Sequence, residues 1–137
     1  MKIYFCGSIK GGRDLVETYA VIIDLLKKHG DVLTEHIGDS KYALSGYSPS
    51  RQVFLQDSDW LKSADVVVAE ITTPSLGVGY ELGLAEALGK KVFCLYQADK
   101  KEKISSMILG NSYFKVYPYE KTDELPKIIN EIISGEI

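Results

Sequence analysis

Two stretches of this sequence combine residue types that can bind an anion and attack an electrophile. The first is Tyr4-Phe5-Cys6-Gly7-Ser8-Ile9-Lys10-Gly11-Gly12-Arg13, an apolar run that ends in glycines, a hydroxyl and two cations. Glycines let backbone approach a ligand closely, and a helix start behind them offers unpaired N–H groups to an anion. A strand-to-helix turn carrying two solvated cations accounts for the same residues. The second is Thr72-Thr73-Pro74-Ser75-Leu76-Gly77-Val78-Gly79-Tyr80-Glu81-Leu82-Gly83, where Gly77 and Gly79 open a helix and Glu81 is expected in its first turn. The helix dipole there favours an ionised carboxylate and so predicts a low pKa, which suits a nucleophile better than a general acid. Ordinary helix-end electrostatics would also place a glutamate there.

A second acid is available in Gln56-Asp57-Ser58-Asp59. Asp57 and Asp59 are two apart on a helix and point in different directions, so one can face a ligand while the other is solvated; the spacing does not choose. His36, in Thr34-Glu35-His36, lies within reach of the same region, although a lone histidine is also common in loops and packing. Trp60 and Leu61 read as core anchors. Cys6 and Cys94 lack metal-ligand spacing and sit in apolar runs, where a free cysteine acts as a small hydrophobe.

These residues must be held by alternating strands and helices. Ile3–Cys6 is a first strand, followed by a helix from about Gly12 to His29 with Leu15, Tyr19, Ile22, Ile23 and Leu26 at helical spacing. Val32–Thr34 reads as a second strand. Residues 37–48 form a polar loop, and Ser48-Pro49 reads as an N-cap and first helical residue. The helix after it carries Val53, Phe54, Trp60 and Leu61. The continuous β-branched run Val66, Val67 and Val68 marks a strand buried on both faces. A helix from about Val78 to Leu88, stopped by Gly89, precedes a fourth strand, Val92–Tyr96. A short helix near Ile104–Leu109 precedes a fifth strand, Phe114–Tyr117, and a last helix starts at Thr122 or Asp123. The pattern predicts one α/β domain over residues 1–137, a doubly wound, flavodoxin-like parallel sheet of order 2-1-3-4-5. In that order Cys6 and Cys94 stand two strand spacings apart, too far for a disulfide. Ligands of such sheets sit at the carboxyl ends of the strands near the switch in order, here between strands one and three, where both stretches emerge.

The 137 residues suffice for a core without staples. With 16 basic against 19 acidic residues there is no basic excess for a nucleic-acid polymer. No apolar run spans a bilayer, and the start of the chain lacks a secretory cleavage pattern, so a cytoplasmic protein without membrane partners is expected. A Mg²⁺-dependent response regulator shares the strand order but needs acidic residues after strand one, where Gly7-Ser8 stands instead.

Four blocks, Tyr4 to Arg13, Leu33-Thr34-Glu35-His36, Asp65-Val66-Val67-Val68-Ala69-Glu70 and Pro74-Ser75-Leu76-Gly77-Val78-Gly79-Tyr80-Glu81-Leu82-Gly83, resemble the 2′-deoxynucleoside 5′-monophosphate N-hydrolases. That group is a branch of the nucleoside 2-deoxyribosyltransferase family. The resemblance implies cleavage of the N-glycosidic bond of a deoxynucleoside 5′-monophosphate, giving free base and 2-deoxyribose 5-phosphate, with no metal or organic cofactor. It implies Glu81 as nucleophile at the anomeric carbon, Asp57 assisting at base or sugar, and Tyr4 hydrogen-bonding Glu81. It places Gly7, Ser8, Ile9, Lys10, Gly11, Arg13, His36, Ser75 and Gly77 around the nucleotide, several at its phosphate. It further implies a homodimer in which a serine from the segment at Ile104–Met107 completes the neighbouring site. Ser105 matches that position, with Ser106 beside it as the alternative. Lys10 departs from the family by standing where an arginine is usual, which keeps charge but loses bidentate geometry. Residues 37–50 do not resemble the family, so the base is left open.

The chemistry of the residues agrees. An ionised carboxylate can trap the oxocarbenium-like state of a breaking glycosidic bond, and a second acid helps a poor leaving base depart. A deoxyribosyltransferase acting on unphosphorylated nucleosides, and a cytidylate-type ribonucleotide hydrolase, are the alternatives. The phosphate-type loops favour a nucleotide, and the resemblance associates Tyr4, rather than phenylalanine, with deoxy substrates.

Overall fold

The computed structural model describes residues 1–9, 15–39 and 49–136. The middle layer follows from the apolar runs. β1 (Lys2–Cys6), β3 (Val66–Glu70) and β4 (Lys91–Gln97) are buried along almost their whole length, as strands covered on both faces must be. With β2 (Asp31–Val32) and β5 (Lys115–Tyr119) they form one parallel sheet of order β2-β1-β3-β4-β5. This is the expected order, and β1 and β3 are neighbours at the switch.

Alternation along the strands divides the core in two. Ile3, Phe5, Val66, Val68, Phe93 and Leu95 face α1 (Val16–Leu26) and α5 (Leu125–Glu136). Tyr4, Cys6, Val67, Ala69, Val92 and Cys94 face α2 (Ser50–Ser63) and α3 (Leu76–Ala87), with α4 (Ser106–Leu109) at the end of the same face. Cys6 and Cys94 both pair in register with Ala69 from opposite sides, so they are free, buried and one strand removed from each other.

Several boundaries differ from the sequence reading. The expected start of the first helix at Gly12 lies outside the described residues; α1 ends at Leu26, and a turn carries the chain through His29. The second strand stops at Val32 because the Thr34 hydroxyl takes over the pairing. It accepts from the Phe5 N–H at 2.8 Å and donates to the Phe5 carbonyl at 2.7 Å, after which Glu35–Gly38 turn as a 3-10 helix. Ser48 lies outside the described residues, and Pro49 is the N-cap of α2 rather than its first residue. α3 begins at Leu76, two residues earlier than expected, because the Ser75 hydroxyl caps it by accepting from the Val78 N–H at 3.3 Å. Gly89, at φ +71°, ends the turn after α3 in the left-handed region expected of a glycine there. The helix read at Ile104–Leu109 is the short α4, which starts at Ser106 behind its Ser105 cap, and a 3-10 stretch, Ala98–Lys103, precedes it. The fifth strand continues past Pro118 to Tyr119; at the sheet edge a missing N–H is tolerated. The last helix opens as a 3-10 turn, Thr122–Glu124, before α5.

Candidate active site

Three elements bring three candidate side chains to one place. Tyr4 projects from β1 on the α2/α3 side and is buried; its phenol donates a hydrogen bond to Oε2 of Glu81 on α3. Asp57 comes from α2 and acts electrostatically on both Glu81 and Tyr4. Of the two aspartates, Asp57 is half-buried and Asp59 exposed. Asp57 Oδ1 is enclosed without a hydrogen-bond partner among the described residues, the state of a carboxylate prepared for a ligand.

The electrostatics correct the expectation for Glu81. It is the sixth residue of α3, outside the first turn, where the dipole acts most strongly. Burial is the dominant influence, and the neighbouring Asp57 charge adds to it against the Tyr4 hydrogen bond. The Glu81 carboxyl is therefore pushed up to about 7 instead of held low. Burial also raises Asp57, opposed by the charge of His36 and a hydrogen bond from Gln56. Burial and the adjacent Glu81 drive the Tyr4 phenol far upward, so it stays protonated and donates. The same two influences push up the Cys6 thiol, which keeps it inert. Two carboxyls with raised pKa values and a neutral phenol form a constellation that can hold one proton between two acids.

The surrounding residues frame this group. His36, in the 3-10 turn after β2, stacks obliquely on Trp60 with ring centroids 5.8 Å apart, and its charge reaches Asp57. Trp60 is half-buried between His36 and the core, while Leu61 is fully buried; of the two, Leu61 is the core anchor. Gly7 lets the first loop close on Tyr19, since an added Cβ would meet that ring at 2.9 Å. Ser8 is buried, and its N–H donates to the Tyr19 hydroxyl at 3.0 Å. Ile9 packs on the α1/α5 core. Lys10, Gly11 and Arg13 lie outside the described residues. Gly77 is exposed and a Cβ on Gly79 would meet nothing within 4 Å, so the N-terminal turn of α3 is open to a ligand beside the Ser75 hydroxyl. Ser105 is exposed and caps α4, accepting from the Met107 N–H at 3.2 Å.

Sequence reasoning passed over a second buried acid. Glu70, the last residue of β3, is fully enclosed and bonded to Thr72 and Tyr119. The signal for it was a lone charge closing an otherwise apolar strand. Among the described residues no group of three or more His, Cys, Asp or Glu side chains could hold a metal ion, and no helix is long and apolar enough to cross a membrane.

Known proteins share this arrangement of sequence and fold. The chain is 43% identical to the 5-hydroxymethyl-dUMP N-hydrolase of Esox lucius over 98% of this chain and 97% of that one. It is 45% identical to the Homo sapiens protein of the same name over 87% of this chain and 72% of that one. Among solved structures, a Clostridium botulinum CMP N-glycosidase superimposes with a TM-score of 0.68, covering 95% of this chain and 98% of that chain at 21% identity, which speaks for the fold alone. Residues 3–115, which carry Tyr4, Asp57 and Glu81, match the model described as Nucleoside 2-deoxyribosyltransferase. The chain belongs to the nucleoside 2-deoxyribosyltransferase family.

Proposed function

We propose that this protein is a hydrolase of 2′-deoxynucleoside 5′-monophosphates, releasing free base and 2-deoxyribose 5-phosphate. The observation that carries the reading is the half-buried Glu81 carboxyl, bonded by Tyr4 and facing the charge of Asp57. The ionised Glu81 adds to C1′ as the C1′–N bond breaks, and the electron pair of that bond leaves with the base. Asp57 supplies the proton that the departing base takes up. Asp57, now ionised, accepts a proton from water; the hydroxide adds to C1′, the bond to Glu81 breaks, and the sugar leaves with retained configuration. Tyr4 keeps Glu81 oriented and supports its ionised form.

The phosphate is assigned to the loops after β1 and β3, with Ser75 retaining a hydroxyl proton to donate while it caps α3. His36 and Trp60 flank Asp57 on the side assigned to the base. Because relatives are named for 5-hydroxymethyl-dUMP, that nucleotide is the first substrate to try. The working unit is a homodimer in which Ser105 completes the partner's phosphate site. Supporting this, Leu76, Tyr80 and Met107 on α3 and α4 are 96%, 58% and 82% exposed, more apolar surface than a small domain usually leaves in water. Two free, buried cysteines suit the cytoplasm, where thiols stay reduced.

The test is a chromatographic screen of 5-hydroxymethyl-dUMP and the four ordinary deoxynucleotides, each with its ribo and dephosphorylated counterpart. Base release from the phosphorylated deoxy forms is expected. Faster cleavage of ribonucleotides, or transfer of the sugar to an added base in place of water, would assign one of the alternatives.

A further inference from the structure

Glu70 and Glu81 lie on opposite sides of the sheet. Val66 and Val68 face the α1/α5 core and Val67 and Ala69 face α2/α3, so Glu70 falls on the α1/α5 side, away from Tyr4 and Asp57. It is fully buried, and three donors converge on it. Oε1 accepts from the Thr72 N–H at 2.6 Å, and Oε2 accepts from the Thr72 hydroxyl at 2.9 Å and from the Tyr119 phenol. The Thr72 hydroxyl in turn accepts from the Gln97 N–H at 2.8 Å, and the Ile71 N–H donates to the Leu95 carbonyl at 2.9 Å. The first two residues of the loop leaving β3 are thus tied to the ends of β3, β4 and β5. Three residues after Thr72 comes Ser75, the cap of α3.

The network also reaches the other loop. Tyr119 shares a buried cluster with Tyr19, whose hydroxyl accepts from the Ser8 N–H. Burial, the Glu70 charge and the Tyr19 hydroxyl raise the Tyr119 phenol, so it remains a donor; burial raises Glu70 against its hydrogen bonds to Tyr119 and Thr72.

We propose that Glu70 is a positioning residue for phosphate recognition, setting through Thr72 and Tyr119 the path of the loop that carries Ser75. The proposal rests on reading that crevice as a deoxynucleotide site. Glu70 touches no reacting atom, and Val78, Leu82 and Ala85 independently seat α3 in the core, so Glu81 stays in place if the loop moves.

The donor types dictate the test. The Thr72 N–H can only donate, so it needs a carbonyl or carboxylate oxygen, whereas both hydroxyls can turn to accept. E70Q keeps an oxygen for the Thr72 N–H and an amide that donates to the two hydroxyls once they turn to accept, whereas E70L leaves the Thr72 N–H and both hydroxyls without this partner. Steady-state kinetics on deoxynucleotides and calorimetric titration with inorganic phosphate are run on wild type, E70Q, E70L and Y119F. E70L is expected to raise KM and weaken phosphate binding about tenfold or more with kcat within about threefold; Y119F lies between, and E70Q stays within about threefold of wild type. A lower Tm for E70L with unchanged KM and phosphate affinity overturns the proposal, as does E70Q impaired as severely as E70L. Should E70L not fold, an unchanged KM in Y119F overturns it and a raised one supports it. If wild type releases no base, the hydrolase reading fails, while the phosphate titrations still decide the role of Glu70. If wild type binds no phosphate, the proposal for Glu70 fails, while base release still decides the hydrolase reading.

Discussion

Tyr4 on β1 and Glu81 on α3 stand 77 positions apart and are joined by a hydrogen bond from the phenol to Oε2. The bond crosses from the central sheet to the covering helix at the switch in strand order, and it opposes the burial that raises the Glu81 carboxyl to about 7. A raised carboxyl, its hydrogen-bond donor and a second acid are thereby set on three separate elements, α3, β1 and α2.

That bond gives a direction for the pH profile. Glu81 and Asp57 titrate as a pair, and the proposed mechanism uses the one-proton form in which the proton has passed from Glu81 to Asp57. Activity falls on the acid side when both are protonated and on the alkaline side, near 7, when both are ionised. Removing the Tyr4 donor removes an influence that lowers Glu81, so Y4F is expected to move the alkaline limb of kcat/KM to higher pH. An alkaline limb that stays put or moves down would exclude this coupling.

Glu81 also imposes a pH dependence on stability. Between the ordinary glutamate value of 4.5 and its folded value of about 7, the folded chain binds the proton more tightly than the unfolded one. Stability conferred by that protonated carboxyl is therefore lost as pH rises through this window. E81Q can still accept from Tyr4 without the charge. It should match wild type near pH 4 and exceed it at pH 8 by about 2–3 kcal/mol in denaturant unfolding. Turnover of E81Q and E81A should fall on the order of a thousandfold or more.

Ser75 is expected to serve two tasks that substitutions can separate. S75A loses the α3 cap, about 1 kcal/mol, and raises KM for phosphorylated substrates. S75D restores a cap acceptor but sets a negative charge against phosphate. Its Tm should recover toward wild type while its KM rises further; recovery of both would limit Ser75 to capping.

Shared sites predict complementation between inactive chains. E81A and Ser105→Trp, each inactive alone, should regain activity after subunit exchange, because one crevice of the mixed dimer then has both intact residues. Sedimentation showing a fully active monomer at assay concentration would exclude sharing.

The sheet was legible because burial on both faces leaves uninterrupted β-branched runs, and because parallel crossovers have one hand. Strand order, the separation of Cys6 from Cys94, and the meeting of the two glycine-bearing loops at the switch all follow from that. Glu81 stood out through its flanking glycines and the family motif. Its pKa direction did not, since local helix position predicted a low value and the surrounding side chains decide otherwise.

Other features depend on contacts between residues distant in the chain. Burial selects Asp57 over Asp59, and helical spacing alone leaves that choice open. The second strand ends early because the Thr34 side chain imitates backbone toward Phe5, a contact across 29 positions. The fifth strand runs past its expected end at Tyr117 because Pro118 at a sheet edge costs no ladder partner, and the added length delivers Tyr119 to Glu70. Periodicity records which residues avoid water; which buried polar groups meet is set only when separate elements close on one another, because an enclosed donor or acceptor must find its partner there.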